Sequence, residues 1–236
     1  QPYEAVRLFG QFQNHMQDFK ESLHLVIPDF HDTEKRFVQL EEAAFADRLG
    51  HVKRVAEELS FARDYSFLAN LLNGEDGEYI VPQRIVHNDT KLNNVLFDRN
   101  TGRGLCVIDL DTVMPGSVIH DFGDMIRSMT RNGAEDEKEQ EKIFFRSDFF
   151  ESLVKGYLET ALPFLTEQEL KLLPLAGQII SYELGLRFLA DYLNGDNYFK
   201  TNYSDQNLNR AKSQFHFVRI LQEKEHEMGE IFESCM

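Results

Sequence analysis

The spacing of apolar residues changes abruptly in the middle of the chain, and this change restricts the possible folds more than any other feature. On both sides of the centre, apolar residues recur every three or four positions, as they do along amphipathic helices. At the centre they form short runs instead, at 79–86, 95–97 and 105–110, which predict short strands. Residues 98–102 (DRNTG) have the composition of a hairpin turn between the last two runs. The sequence therefore predicts a mainly α fold of the α+β class, with helices packed around a small central β-hairpin.

The helices before the centre are predicted from their breakers and caps. A first helical segment ends at Pro28, and its apolar residues recur at helical spacing: Val6, Phe9, Phe12, Met16 and Phe19. Asp32 or Thr33 can cap a second helix that continues to Ala46. A third helix is predicted over 51–72, followed by a polar loop at 74–78.

The C-terminal half is predicted to be helical after an acidic loop that follows Gly133. Thr166 and Glu169 form a capping-box pattern before a long apolar helix, which Asn194 and Gly195 close. A final helix is predicted over about 205–225. No repeat or linker divides the chain, so we predict one domain over residues 1–236. Its parts are helical at 1–78, hairpin and loops at 79–111, and helical again at 112–236.

Charge and cysteine content exclude several classes of partner. The formal charge is −15, so no basic stripe is present that could replace the counterions of a nucleic acid or bind an anionic membrane. No apolar stretch approaches the roughly 18 residues of a membrane span, and no signal peptide opens the chain. Cys106 lies in an apolar run and is predicted to be a buried thiol, and with Cys235 as the other cysteine a disulfide framework is not expected. We expect a soluble, cytoplasmic protein with no nucleic-acid or membrane partner.

Two segments in the centre carry most of the chemical information. Residues 87–94 (HNDTKLNN) precede the hairpin, and residues 107–111 (VIDLD) end its second strand. If the hairpin turns at Asn100, Asn94 comes to lie roughly opposite Asp109. An amide and a carboxylate oxygen suit Mg²⁺, which prefers hard oxygen ligands and keeps several waters.

Asp89, in the loop just before the hairpin, would then lie close to the metal, where it can accept a proton from an attacking hydroxyl. His87 is expected to pack or hydrogen-bond rather than act as a base. A single His, Asp or Asn in a loop is usually a turn or cap residue, whereas the spaced set followed by a strand ending in Asp is seldom obtained by chance. The pattern indicates Mg²⁺-dependent phosphoryl transfer from ATP.

These segments resemble the catalytic and metal-binding loops of the aminoglycoside phosphotransferase/choline kinase superfamily, whose fold is similar to that of protein kinases. The chain is most similar to N-acetylhexosamine 1-kinases, which use ATP to phosphorylate the anomeric hydroxyl of N-acetylglucosamine or N-acetylgalactosamine. The resemblance runs through essentially the whole chain, and these segments carry it: 86–96 (VHNDTKLNNVL), 106–116 (CVIDLDTVMPG), 121–124 (DFGD), 185–193 (GLRFLADYL) and 27–31 (IPDFH).

The resemblance implies a role for particular residues. It makes Asp89 the catalytic base and makes Asn94 and Asp109 the Mg²⁺ ligands. Asp111 would be a second metal contact or a contact to a sugar hydroxyl. Arg187 and Tyr198 would reach the sugar or a phosphate.

Further residues of these segments are assigned with alternatives. Glu183 and Asp191 flank Arg187 at i−4 and i+4, so a surface ion-pair ladder explains this arginine equally well. His31 is a weaker candidate for the sugar site and can equally be a loop residue. Asp121 and Asp124 are interpreted as residues that cap a helix or fix a loop, because Asp109 already fills the metal-binding position.

An enzyme of this type also needs a nucleotide lobe, with a sheet, a phosphate-covering loop and a lysine paired to a helical glutamate. Nothing before His87 has that pattern, so we expect the chain to be the C-terminal lobe alone, without the N-terminal lobe. The N-terminal lobe would then be the missing partner, and the lobe by itself would be inactive, because half of the ATP clamp would be lacking.

Alternative functions stay open at this point. Another small-molecule kinase, acting on aminoglycosides, choline or a different sugar, would use the same loops. A non-catalytic lobe that binds a sugar or a partner protein is also possible, although it would not need Asp89, Asn94 and Asp109 together. Sulfate-ester hydrolysis is disfavoured, because neither cysteine nor any serine is followed by a proline two residues on and an arginine four residues on.

Overall fold

The computed structural model describes residues 1–72, 79 and 81–236, and within these ranges the chain is mostly helical. The helices are α1 Pro2–His15, α2 Thr33–Ala46, α3 Ala56–Asp64, α4 Phe67–Asn70, α5 Val118–Met129, α6 Ser147–Ala161, α7 Glu167–Leu172, α8 Ala176–Leu193, α9 Gln206–Glu223 and α10 Glu225–Cys235. The strands are β1 Arg84–Val86, β2 Val95–Phe97, β3 Gly104–Val107 and β4 Met114–Gly116. This composition confirms the predicted mainly α, α+β class.

Two predicted helix starts are confirmed by their caps. Helix α2 covers the predicted residues, and the Asp32 side chain accepts a hydrogen bond from the Lys35 backbone N–H at 3.0 Å. At the start of α7, the Glu169 N–H donates to Thr166 Oγ1 at 3.2 Å, and the Thr166 N–H donates to Glu169 Oε2 at 2.8 Å. Both are local signals, which depend only on neighbouring residues.

Four predicted helices have different bounds. Helix α1 ends at His15 and Phe19 is extended, because Phe19 is 38% exposed and has no core to pack against. The predicted helix over 51–72 is divided into a 3-10 turn at Val52–Val55, α3 and α4, and its predicted end at Asn73–Gly74 and the loop at 74–78 lie outside the described residues.

In the C-terminal half, Pro174 lacks an N–H donor and lies in a 3-10 turn that separates α7 from α8. The last predicted helix ends at Glu223, and α10 follows it with Met228 and Phe232 buried.

The predicted hairpin is formed by β2 and β3, with a register one residue from the expected one. Val95 pairs with Val107 and Leu96 with Cys106. The Ile108 N–H donates to the Asn94 carbonyl at 2.9 Å, so Asn94 lies opposite Ile108 rather than Asp109. Cys106 is exposed, and its prediction as a buried thiol is wrong. It lies beside Leu96 on the hairpin face that does not meet the core, because strand side chains alternate between faces.

A second two-stranded sheet was not predicted from the sequence. Strand β1 pairs antiparallel with β4, with Ile85 opposite Pro115. The strand predicted over 79–86 is thus limited to Arg84–Val86, and residue 80 lies outside the described part. Pro115 and Gly116 are poor strand residues, so the partner strand has no signal of its own.

Helices α5 and α8 form the centre of the core, with α1 against α6 on one side and α9 on the other. Gly123 of α5 lies so close to the Ala176 carbonyl oxygen that a Cβ there would be 2.3 Å from it. This close approach fixes the position of α5, which carries Asp121 in its first turn and Asp124 near its middle. In the described ranges, no helix combines the length and the apolar character needed to cross a membrane.

Candidate active site

The loop that contains Asp89 is anchored to α5 by the fully buried carboxylate of Asp121. Its Oδ2 accepts hydrogen bonds from the His87 N–H at 2.9 Å and from the Gln13 side-chain amide at 2.7 Å, and its Oδ1 accepts one from the Asn88 N–H at 2.7 Å. The Thr90 hydroxyl donates to the Asp121 carbonyl at 2.6 Å. Burial raises the pKa of Asp121, although the two backbone N–H groups act in the opposite direction. The carboxylate therefore fixes the backbone of His87 and Asn88, and the Asp121 carbonyl fixes Thr90, on either side of Asp89.

His87 connects the same loop to the end of β3. Its ring accepts a hydrogen bond from the Asp89 N–H at Nδ1, at 3.3 Å, and its Nε2 lies 3.0 Å from the Ile108 carbonyl oxygen. The ring is buried, with the rings of Phe9 and Phe12 at 5.2 and 6.0 Å. Because the backbone N–H of Asp89 must donate to Nδ1, the proton of the ring lies on Nε2. His87 therefore holds the Asp89 loop and the end of β3 in position relative to each other.

Asp89 and Asn94 are joined directly. The Asn94 side-chain amide donates to Asp89 Oδ2 at 2.9 Å and to the Asp89 carbonyl at 2.8 Å. The other carboxylate oxygen, Oδ1, is 2.6 Å from Lys91 Nζ. The Asp89 side chain is 25% exposed, so it is restrained on two sides while one side stays accessible. Lys91 was not singled out from the sequence, although its place two residues after Asp89 was visible there.

Asp109 and Asp111 are both exposed, one residue apart, where β3 ends. Asp109 has φ of 63° and ψ of 59°, in the left-handed region that Asp tolerates better than most residues. Among the described residues, its carboxylate has no hydrogen-bond or ion-pair partner. The register places the Asn94 backbone next to Ile108, so Asn94 and Asp109 belong to neighbouring positions of the two strands.

Asn94 and Asp109 each have an oxygen atom available to bind a shared Mg²⁺ ion. The Nδ2 group of Asn94 is used by Asp89, which leaves its amide oxygen for a cation, and the Asp109 carboxylate is free. In the described part of the chain, no cluster of three or more His, Cys, Asp or Glu side chains could hold a metal by itself. A two-ligand protein share is what Mg²⁺ uses when phosphates and waters complete its octahedral shell.

A cavity of about 490 Å³ opens beside Asp89, and we call it the acceptor cavity. The predicted residues His31, Asp124, Arg187 and Tyr198 line it together with Asp89. Asn94, Asp109 and Asp111 are not among its lining residues, so the predicted metal ligands lie outside the acceptor cavity, although Asn94 contacts Asp89 directly. The predicted sugar contact of Asp111 is therefore not part of this cavity.

The charge of the acceptor cavity differs from that of the whole chain. Five basic side chains line it: Lys91, Arg127, Arg187, Lys200 and Arg210. Three acidic side chains line it: Asp89, Asp124 and Glu135. The lining of this cavity is thus net positive although the whole chain has a formal charge of −15, so its charge differs in sign from that of the chain as a whole.

The described residues do not form the ion-pair ladder that was predicted as the alternative for Arg187. Its guanidinium carbon is 5.2 Å from the ring centroid of Phe30, 5.7 Å from that of Tyr198 and 5.3 Å from that of Phe199. Burial lowers its pKa. Among the described residues it forms no ion pair.

Both acids that flank Arg187 in sequence are engaged elsewhere. Asp191 accepts hydrogen bonds from the backbone N–H groups of residues 197–199 at 2.9 to 3.0 Å. Glu183 is fully buried and bonds His31 Nδ1 at 2.8 Å and the Thr33 hydroxyl at 2.7 Å. Their i−4 and i+4 spacing from Arg187 suggested a ladder, whereas each of them fixes a different loop of the cavity.

His31 lies in the cavity wall as half of the ion pair with Glu183. Burial disfavours its charge, but the nearby Glu183 carboxylate outweighs this, and the pKa of His31 is raised. Burial by itself would raise the pKa of Glu183, but the nearby His31 outweighs this effect and lowers the pKa to about 2. The ring of His120 lies 4.8 Å from that of His31, and burial lowers the pKa of His120 to about 3. Near neutral pH His120 is therefore neutral, whereas the Glu183 carboxylate favours the charged form of His31.

Asp124 pairs with Arg127, which the sequence reading did not single out. Its Oδ1 accepts from Arg127 Nε at 2.9 Å and from Nη2 at 2.7 Å, and both side chains are buried. Asp124 is therefore a partner that orients Arg127 at the cavity. The signal available in the sequence was the i, i+3 spacing of the two residues on α5.

Comparisons with known proteins identify the fold and the family of the chain. The aminoglycoside phosphotransferase APH(2'')-Ib, solved with ADP bound, superposes with a TM-score of 0.51 at 12% identity and covers 93% of this chain. Choline kinase from Cryptosporidium parvum Iowa II superposes with a TM-score of 0.50 at 14% identity and covers 97%. At these identities the likeness concerns the fold, and the chain spans 65% and 66% of the two solved chains. A sequence profile described as the phosphotransferase enzyme family matches residues 1–162, which include the Asp89 loop, the hairpin and α5. The chain therefore belongs to the phosphotransferase enzyme family.

Proposed function

We propose that the protein transfers the terminal phosphoryl group of ATP, with Mg²⁺, to the anomeric hydroxyl of an N-acetylhexosamine. The observation that carries this proposal is the position of Asp89. It is held by Asn94 and Lys91, in a loop fixed by Asp121, at the edge of the acceptor cavity. A restrained carboxylate with one open side suits the acceptance of a proton from a bound hydroxyl.

Two residues outside the acceptor cavity, Asn94 and Asp109, suit the nucleotide. Asn94, through its amide oxygen, and Asp109, through its carboxylate, would hold Mg²⁺, which when bound neutralises the charge of the ATP phosphates. Lys91 lines the acceptor cavity, and its ammonium group is 2.6 Å from Asp89 Oδ1. A cation in this place can interact with the group that is transferred, because such transfer depends mainly on positioning and electrostatics.

The acceptor cavity favours a neutral, hydroxyl-rich acceptor over a cationic one. Its lining has two more basic than acidic side chains, and this excess of positive charge would disfavour the ammonium groups of aminoglycosides or choline. Arg187 offers guanidinium donors, and the rings of Tyr198 and Phe199 offer flat apolar surfaces beside it. Sugars present hydroxyl groups at their edges and C–H groups on their faces, so this combination suits them. The preference for an N-acetylhexosamine itself comes from the resemblance.

Two other functions are outcomes of the same experiment. A kinase for aminoglycosides or choline would use the same Asp89 loop, and a non-catalytic lobe would bind a sugar without turning it over. The full-length protein is incubated with Mg²⁺-ATP and, separately, with N-acetylglucosamine, N-acetylgalactosamine, an aminoglycoside and choline. We expect a sugar 1-phosphate from an N-acetylhexosamine and no product from the two cations. Phosphorylation of a cation, or sugar binding without product, would overturn the proposal.

A further inference from the structure

A second cavity adjoins the acceptor cavity and is of nearly the same size, about 480 Å³. The two cavities share four lining residues: Ile27, Arg187, Tyr198 and Phe199. Because these residues border both spaces, a ligand bound beside Asp89 has the second cavity as its immediate neighbour. The hydroxyl-directed chemistry of Asp89 does not need this additional space.

The second cavity exists because short side chains face each other across α2 and α8. Ala43 and Ala46 lie three positions apart on α2, and Ala190 lies on α8. Longer apolar residues at these positions would fill the gap, as they do elsewhere along α8, where Leu186 and Leu189 are fully buried. The hollow is thus a property of particular residues and can be filled by a single substitution.

The polar groups of this cavity are left with unused hydrogen-bonding capacity. Arg36 donates to Gln39 Oε1 at 3.0 Å and to the Asp29 carbonyl at 2.7 Å, but its Nε is buried and has no partner among the described residues. Arg48 has no hydrogen-bond or ion-pair partner in the described part of the chain. Arg48 is exposed and Arg36 is only partly buried, so both guanidinium groups can offer N–H donors to the oxygens of a ligand in the cavity.

The charge balance of the second cavity is also positive. Its lining contains Arg36, Arg48 and Arg187, against the carboxylates of Glu42 and Asp191. Asp191 is saturated by backbone N–H groups, which leaves Glu42 as the uncommitted acid of the described lining. Planar guanidinium groups bind carboxylates with two parallel hydrogen bonds, which gives them a preference for that group.

We propose that the second cavity binds the next unit of an oligosaccharide acceptor, and that this unit is an acidic sugar with a uronic-acid carboxylate. The inference rests on the proposed function, since it requires the reducing-end N-acetylhexosamine to occupy the acceptor cavity. The apolar faces of Pro28 and Ala190 suit the C–H face of a sugar ring, and Arg36 and Arg48 suit its carboxylate and hydroxyl oxygens.

The test compares three acceptors with the full-length protein and Mg²⁺-ATP. They are N-acetylglucosamine, the neutral disaccharide of two N-acetylglucosamines, and a disaccharide of glucuronic acid linked to a reducing-end N-acetylglucosamine. We expect kcat/KM to be highest for the acidic disaccharide. Arg48→Ala should lower that value by about tenfold, as the loss of a charge-assisted hydrogen bond does, and leave the monosaccharide value unchanged.

A filling variant tests the same site without changing charge. Ala46→Leu should lower kcat/KM for both disaccharides and not for the monosaccharide. The matched control is Ala56→Leu on the exposed start of α3, away from both cavities, which should leave all three values unchanged. Thermal unfolding of each variant verifies that it is folded.

The outcomes separate the two proposals. If N-acetylglucosamine is phosphorylated but neither disaccharide is, or if Arg48→Ala and Ala46→Leu affect all three acceptors equally, the second cavity has been wrongly assigned and the proposed function stands. If none of the three acceptors yields a sugar 1-phosphate, the proposed function fails, and the inference fails with it.

Discussion

Removal of the Asp121 carboxylate should release the loop that carries Asp89, and the structure allows the size of the effect to be calculated. Asp121→Ala leaves the backbone N–H groups of His87 and Asn88 without an acceptor in a buried space. Each buried, unpaired donor costs about 1–3 kcal/mol, so the two together cost about 2–6 kcal/mol. The Gln13 side-chain amide N–H loses the same acceptor, although Gln13 Oε1 keeps the hydrogen bond from the Tyr157 hydroxyl, so this sum is a lower bound. Since the total stability of a domain is about 5–15 kcal/mol, we expect a large loss of stability with local release of the loop.

A graded variant distinguishes the loss of hydrogen bonds from the loss of charge. Asp121→Asn keeps one side-chain oxygen as an acceptor and replaces the other by an NH₂ group. One of the two backbone N–H groups then faces another donor and loses its hydrogen bond, so we expect a cost of about 1–3 kcal/mol. Asp18→Asn is the control for charge, because Asp18 is exposed and its side chain has no partner among the described residues.

The assay is urea unfolding of each variant, together with hydrogen exchange of the His87 and Asn88 amides. Both amides should lose protection in Asp121→Ala, partly in Asp121→Asn and not in Asp18→Asn. A cost below about 1 kcal/mol for Asp121→Ala, with both amides still protected, would refute the anchoring role.

Three further changes give distinct results. Asp109→Ala should weaken Mg²⁺-ATP binding, measured by calorimetry, because it removes one of two proposed metal ligands; unchanged affinity would exclude Asp109 as a ligand. Arg187→Lys keeps the charge but loses the planar donor, so KM for the sugar should rise about tenfold while the thermal stability stays within about 1 kcal/mol; an unchanged KM would contradict a sugar contact. The pKa of His120 is lowered to about 3 from an ordinary 6.5. Between these two values the unfolded chain binds a proton at this histidine and the folded chain does not, so the free energy of unfolding should fall as the pH drops below 6.5. His120→Asn should remove this loss between pH 6.5 and 4.5, measured by urea unfolding at each pH, and an identical pH dependence in both proteins would show that His120 does not titrate in this way.

The sequence predicted those parts of the fold that depend on neighbouring residues. The cap at Asp32, the capping box at Thr166 and the hairpin turn at Asp98 are local, because each side chain bonds a backbone group two or three residues away. The pairing of β1 with β4 joins residues about thirty positions apart and has no local signal, so it was missed. Cys106 was misjudged because an apolar run does not tell which face of a two-stranded sheet meets the core.

The candidate site shows the same division. The spacing of Asp89 and Asn94 was readable, and the structure joins their side chains. Arg187 was left between two interpretations, because spacing along a helix cannot show that Glu183 and Asp191 bind other groups. That distinction requires the loop at 27–31 and the segment at 197–199 to be placed in space, which only tertiary structure provides.

The proposed phosphoryl transfer depends above all on the restrained carboxylate of Asp89. Full-length protein and Asp89→Asn are compared for the formation of sugar 1-phosphate from Mg²⁺-ATP and N-acetylglucosamine, with Asp18→Asn as control. The variant keeps the shape of the side chain but cannot accept the proton, so we expect turnover to fall by about 10²–10⁴ while the affinity for Mg²⁺-ATP is nearly unchanged. Turnover of Asp89→Asn close to that of the unaltered protein would contradict the account.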